Sequence, residues 1–307
     1  MSGWLWIPIT IVAALVQTLR NTAQRHLVDH IGTLGATLVR FLYGLPFALA
    51  WLAAAWLIRD LPADATRGLA GFKFFFWMGL GAVAQIAATA LLLRAMKEQN
   101  FALGVAYSKT EGLQIAIFGL VFLGDPLGWV SGAAILAASI GVMLVSLPKN
   151  APLRQLLIGG WTTQAAFYGI ASGAGFALAA VGYRGAILDL APLDFLASAA
   201  YTLVWAQLTQ TVLLGGWLCV FDRAVIFAVF RAWRVSALAG FLGALASALW
   251  FTAFALEPAA HVRTLGMVEL IFSYAVSARL FREKFAPREQ AGLVLLAFGL
   301  VGIVLSG

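Results

Sequence analysis

The chain has 307 residues, of which 62% are hydrophobic and 11% charged, with a mean hydropathy of +0.93. An ordinary globular domain carries roughly a quarter charged residues, so the surplus apolar surface here needs lipid as its solvent. The net charge of +7 is spread singly or in small groups between apolar runs, which excludes the clustered basic face of a nucleic-acid binder.

Crossing about 30 Å of hydrocarbon takes roughly 20 apolar residues. Such runs predict ten helices, near 4–22, 33–58, 73–95, 101–123, 127–147, 161–183, 194–220, 235–256, 262–281 and 287–306. The expected fold class is all-α, a polytopic membrane protein of ten transmembrane helices in a cell membrane, a bacterial inner membrane being the natural setting. Period-two alternation is absent, which argues against a β-barrel. The opening Met1-Ser2-Gly3-Trp4 lacks a positive n-region, so the first run is read as a mature helix.

In chain order, the first span carries Gln17 and Asn21, the second Arg40, and the third Gln85 and Thr89. The fourth holds Glu111, with Tyr107, Ser108 and Gln114 at i−4, i−3 and i+3 on one helical face. Lys109 falls about 200° around that helix from Glu111. Sharp turns follow at Gly124-Asp125-Pro126 and Leu256-Glu257-Pro258, while 59–72, 148–160 and 221–234 read as short connections. Tyr168, Trp205 and Trp250 offer an aromatic wall of the kind that holds quaternary amines. The ninth span carries Glu269, with Gly266 and Ser273 one turn to either side. Small residues recur every four positions, as at Ala133, Ala137 and Gly141 or Gly240 and Ala244, a spacing that lets helices approach closely in lipid.

Shifting the sequence by 158 residues lays the second half on the first from about residue 92 onward. Glu111 falls on Glu269, Asp125 on Glu283 and Gly141 on Gly299. Five spans per half is an odd number, so 1–150 and 151–307 are expected as two inverted five-helix repeats. A pseudo-two-fold axis then lies in the membrane plane, with a substrate site near the midplane.

Ten spans in two halves, each closing with a polar turn and a glycine-bearing last helix, resemble the EamA-type members of the drug/metabolite transporter superfamily. Gly124-Asp125 with Gly141, Arg282-Glu283 with Gly299, and the Arg40-Phe41 pair carry the resemblance. Asp125 stands where the family has Glu, and Arg282 where it has Gly. The resemblance implies a carrier of small metabolites such as amino acids, quaternary amines, nucleotide-related compounds or drugs, and cytoplasmic termini.

Ionisable groups at membrane depth are expensive and mark function by default. Glu111 is expected as a proton-coupling carboxylate or as counter-ion to a cationic substrate; in a purely structural role it pairs with Lys109 or Arg40. Glu269 is expected at similar depth, where two close carboxylates favour proton carriage. Arg40 either binds a substrate carboxylate or neutralises Glu111. The candidate substrate- or proton-binding set is thus Glu111, Glu269, Arg40, Tyr107, Ser108, Gln114, Gln85, Thr89, Trp250 and Ser273.

Cys219 is the one cysteine, and His26, His30 and His261 lie near span ends, so no cofactor, no metal centre and no enzymatic constellation is expected. The expected partners are a small-molecule substrate, protons and the lipid bilayer, with no nucleic acid, the chain acting as a monomer or homodimer. Connections after odd-numbered spans carry most of the cations, Arg223, Arg231 and Arg234 among them, against Arg59, Arg67, Lys73, Arg184 and Arg263 on the other side. The positive-inside rule then puts both termini outside.

Overall fold

The computed structural model describes residues 4–62, 65, 70–97, 106–147, 164–190, 192–272, 274 and 286–306, the side chains of 22, 24–26, 29, 96 and 97 aside. Ser273, the Arg282-Glu283 pair and the connection over 148–160 lie outside the described residues. The regular structure among the described residues is all helical, with no strand.

The helices are α1 (Trp6–Leu42), α2 (Leu45–Ile58), α3 (Phe72–Lys97), α4 (Glu111–Phe118), α5 (Trp129–Ser146), α6 (Gln164–Asp189), α7 (Phe195–Phe221), α8 (Arg223–Arg231), α9 (Trp233–Leu256), α10 (Ala259–Gly266) and α11 (Pro287–Ser306). Seven helices among the described residues are long and apolar enough to cross a membrane: His30–Ile58, Phe72–Ala95, Trp129–Ser146, Gln164–Asp189, Phe195–Phe221, Trp233–Leu256 and Pro287–Ser306.

Three expected boundaries change. The first connection, expected over 23–32, shrinks to its last residue, because α1 stays helical from Trp6 until Gly32, whose φ of 68° and ψ of 173° are not helical. A Cβ there would meet nothing within 4 Å, so the left-handed backbone alone calls for glycine. The connection over 221–234 contains a helix of its own, α8, started by the Asp222 side chain accepting from the Val225 amide at 3.4 Å. The fourth and ninth runs are discontinuous, as described below.

Two compact units divide the chain, and each draws on both sequence halves: residues 1–83 with 182–257, and residues 84–181 with 258–307. In the first unit, α9 packs along α1. A Cβ on Gly240 would lie 2.5 Å from the Tyr43 Cβ, so only glycine admits this approach. Leu27, Ile31, Val39, Val229 and Ala239 form one buried cluster, and Phe74, Met78, Ala186, Leu190 and Ala197 another. Buried Arg184 donates to the carbonyls of Phe254 and, at 2.7 Å, Glu257, closing the C-terminal end of α9 where the helix dipole favours a cation. Arg184 is therefore a helix cap and not a connection charge. Arg184→Met is expected to cost about 2 kcal/mol, the order of a lost hydrogen bond from a charged group; an unchanged unfolding temperature in detergent would remove this role.

In the second unit, α5 and α11 pack so closely that their backbones touch. A Cβ on Gly141 would lie 2.6 Å from the Leu296 amide nitrogen and 2.7 Å from the Gly292 carbonyl oxygen. A Cβ on Gly299 would lie 2.6 Å from the Ala138 amide nitrogen and 2.7 Å from the Ala134 carbonyl oxygen. Gly299 is Gly141 displaced by 158 positions, and Gly292 and Leu296 are Ala134 and Ala138 displaced by the same amount. The contact is thus the same contact made twice, with the two helices antiparallel.

Candidate functional site

Within the second unit, the helical path breaks twice. The amides of Lys109 and Thr110 bond to the carbonyls of Ala106 and Tyr107, three residues back, each at 3.1 Å. The Thr110 hydroxyl also donates to the Tyr107 carbonyl at 2.7 Å, competing with the helical ladder as threonine does. Regular helix α4 then starts at Glu111, whose charge suits the positive end of the dipole. It ends in a π turn over Gly119–Leu123, closed by left-handed Gly124 with φ 69°.

The second break ends α10. Met267 bonds to the Thr264 carbonyl at 3.0 Å and Leu270 to the Met267 carbonyl at 3.0 Å, after which residues 268–272 are helical again. Met267 is Lys109 displaced by 158 residues, so the breaks fall at equivalent positions and each precedes its glutamate by two residues. The second break reaches the first turn of α4: a Cβ on Gly112, one residue past Glu111, would lie 2.9 Å from the Met267 Cε and 3.0 Å from the Ser139 Oγ.

Glu111 is held across this junction. Arg263, in the last turn of α10, donates to the Glu111 Oε1 from Nε at 3.1 Å and from an Nη at 2.8 Å. The side chains are 16% and 26% exposed, Glu111 and Arg263 respectively, so the pair is largely shielded from water. This corrects the expectation of a pair with Lys109 or Arg40, and it removes Arg263 from the connection charges. Tyr107 and Ser108 are both buried, but the break at Lys109-Thr110 means that they do not share one regular helical face with Glu111.

Gln114 donates to the Thr110 hydroxyl at 3.2 Å and to the Ile170 carbonyl at 3.4 Å. Its Oε1, the Ser139 Oγ and the Thr264 Oγ1 are buried without a hydrogen-bond partner. Three such atoms around two helix breaks are unusual, since buried polar atoms are nearly always satisfied. Gly173 of α6 makes room here: its Cβ would lie 2.9 Å from the Ser108 carbonyl oxygen and 3.1 Å from the Gln114 Oε1. Glu269 is half-buried beyond the second break. In α3, Thr89 donates to the Gln85 carbonyl at 2.9 Å, a bond within its own helix. Tyr168 sits under the Arg94 guanidinium at 5.9 Å.

Arg40 and Trp250 belong to the first unit. Trp250 is buried and donates to the Gln17 Oε1 at 3.1 Å, and the Arg40 stem lies against Gly243. Around them, Gln210 donates to the Tyr183 hydroxyl at 2.9 Å, the Tyr183 and Phe251 rings are 4.7 Å apart, and Arg20 donates to the Asn21 Oδ1 at 2.7 Å. Trp205 meets Phe75 edge-on at 5.2 Å.

Sequence reasoning missed Arg263, Ser139 and Thr264 in the second unit and Tyr183 and Gln210 in the first. Arg263 carried a usable signal: it follows Pro258 by five residues, and proline favours the first turn of a helix. The hydroxyls carried none, because Ser and Thr are common in apolar helices.

No protein-family model matches the chain, and no curated protein matches it. A solved structure described only as a "Crystal structure of protein" is similar over 100% of this chain and 98% of its own, with a TM-score of 0.65 and 15% identity. At that identity the likeness is one of fold alone.

Proposed function

We propose that the chain is a secondary active transporter of the EamA type, moving a small polar or cationic metabolite of the amino acid or amine class by alternating access, with protons coupled to export. In this reading ten helices form two inverted five-helix repeats of a multi-pass protein in a cell membrane. The observation that carries it is the pair of helix breaks at positions 158 residues apart, each followed by a glutamate, with the Met267 side chain of the second against Gly112 just after the first. Discontinuous helices place dipole ends and unpaired backbone groups where a ligand can use them, and lipid-facing irregular backbone is not tolerated. The repeated contact between α5 and α11 supports the inversion, because its two helices run antiparallel. The ion pair of Glu111 with Arg263 supports coupling: protonating the carboxylate weakens its hold on the guanidinium, and a charged substrate competes for either partner.

Proteoliposomes carrying the full chain are expected to release or take up amino acids or amines when a pH gradient is imposed. Glu111→Gln, which keeps the shape but not the charge, is expected to slow that response at least about 100-fold, the order associated with losing a group that transfers a proton. Equal flux with and without the gradient, lost in Glu111→Gln, would instead establish a facilitator in which the carboxylate binds a cation. Undiminished gradient-driven flux in the variant would take Glu111 out of the mechanism.

A further inference from the structure

The helix α8 bridges the end of α7 and the start of α9, two helices long and apolar enough to span a membrane. A segment so tethered lies at the level where hydrocarbon gives way to headgroups. Its inner face is accounted for: Val229 is fully buried against Leu27, Ile31 and Val39 of α1, with Val225 packed beside them. Its outer face is not what water selects. Arg223, Phe227 and Arg231 recur every four residues along one side, and Phe230 lies beside them, with Phe227 74% and Phe230 56% exposed.

The flanks repeat the pattern. Trp233 is exposed and sits beneath the Arg234 guanidinium at 5.5 Å, while the rings of exposed Trp217 and Phe221 meet at a tilt, 5.2 Å apart, at the end of α7. Tryptophan and phenylalanine beside arginine are the side chains that the interface favours, the rings in the acyl boundary and the cations at phosphate level. The Arg223 Nε is bound to the Cys219 carbonyl at 2.9 Å, which fixes that guanidinium. Over residues 217–234 the sequence sets Arg223, Arg231 and Arg234 against one acidic residue, Asp222, whose side chain accepts from the Val225 amide.

We propose that the outer face of α8, with Arg234, is a binding surface for the phosphate headgroups of anionic phospholipids. Guanidinium forks match phosphate geometry and each cation near an anionic surface adds attraction, so the occupant is acidic lipid and not a neutral bilayer. The surface is separate from the broken-helix junction and stands whatever that junction carries.

The test uses the full chain in neutral detergent, titrated with phosphatidylglycerol, phosphatidylcholine or inorganic phosphate while thermal unfolding is followed. Phosphatidylglycerol is expected to raise the unfolding temperature by about 5 °C, the order that ligand linkage allows, and phosphatidylcholine and free phosphate by less than about 1 °C. The triple variant Arg223→Gln, Arg231→Gln, Arg234→Gln is expected to lose most of that rise. Should the triple variant not fold, Arg231→Gln and Arg234→Gln made singly are each expected to lose about a third of the rise, three cations sharing it about equally. A full rise in the variants, or an equal rise with phosphatidylcholine, overturns the assignment. A rise with phosphate alone shows an ion site and overturns the lipid.

Discussion

Arg263→Met is expected to destabilise the protein by about 2–3 kcal/mol, and the further change Glu111→Gln to recover about half of that loss. The physical reason is asymmetry. Removing one member of a shielded pair leaves the other charge desolvated, which costs about 3–5 kcal/mol when the pair is fully buried. Here the exposures of 16% and 26% let water repay part of the penalty. Removing both members leaves no stranded charge, so the double variant should be more stable than the single. Unfolding of the four proteins in one detergent gives the cycle. A coupling energy near zero would mean that the two bonds to the Glu111 Oε1 contribute nothing to the fold, and that their place is in the working cycle alone.

The second large effect is expected at the seam of α5 and α11. Gly141→Val and Gly299→Val should each cost about 3 kcal/mol, the upper range for overpacking, because the atoms in the way are backbone nitrogens and carbonyl oxygens that cannot rotate aside. The repetition of the contact makes the sharper statement. The two substitutions should be nearly equal in effect, since each meets a backbone amide and a carbonyl oxygen at positions displaced by 158 residues. Losses that differ by more than about 1.5 kcal/mol, beyond the usual spread of core substitutions, would break the equivalence.

Legibility followed the size of the signal. Long apolar runs place α3, α5, α7, α9 and α11 within two residues at each end, and α6 all but its last six residues, because a stretch of about 20 apolar residues has few other uses. The glycine seam was legible only in its parts: four-residue spacing marked Ala133, Ala137 and Gly141 as a close-packing face, and the shift aligned Gly141 with Gly299, but nothing in the sequence said that these two helices meet. What stayed hidden are departures from regular helix. Lys109-Thr110 lies in the polar stretch from Tyr107 to Glu111, which reads equally well as one polar face of a continuous helix, while Met267 interrupts a mainly apolar run, and the interruption rests on single bonds such as that from Thr110 to the Tyr107 carbonyl. The helix α8 was hidden because, at nine residues, it is too short to register as a span. Glu111 could be picked out by cost alone, but its partner could not. Arg263 lies 152 residues away, and only the tertiary path brings the two together.

The seam of α5 and α11 also bears on ancestry. Because each helix offers the other the surface it receives, the ladder is self-complementary in antiparallel register. On the proposed reading of two inverted repeats, a half-length chain bearing one such helix could dock onto a second copy of itself inserted the opposite way up, with no new residues invented for the joint. Fusing two copies end to end would then preserve a working interface from the first generation. Each later divergence between Ala134 and Gly292, or Ala138 and Leu296, could refine one face while the glycine opposite kept the backbones in touch.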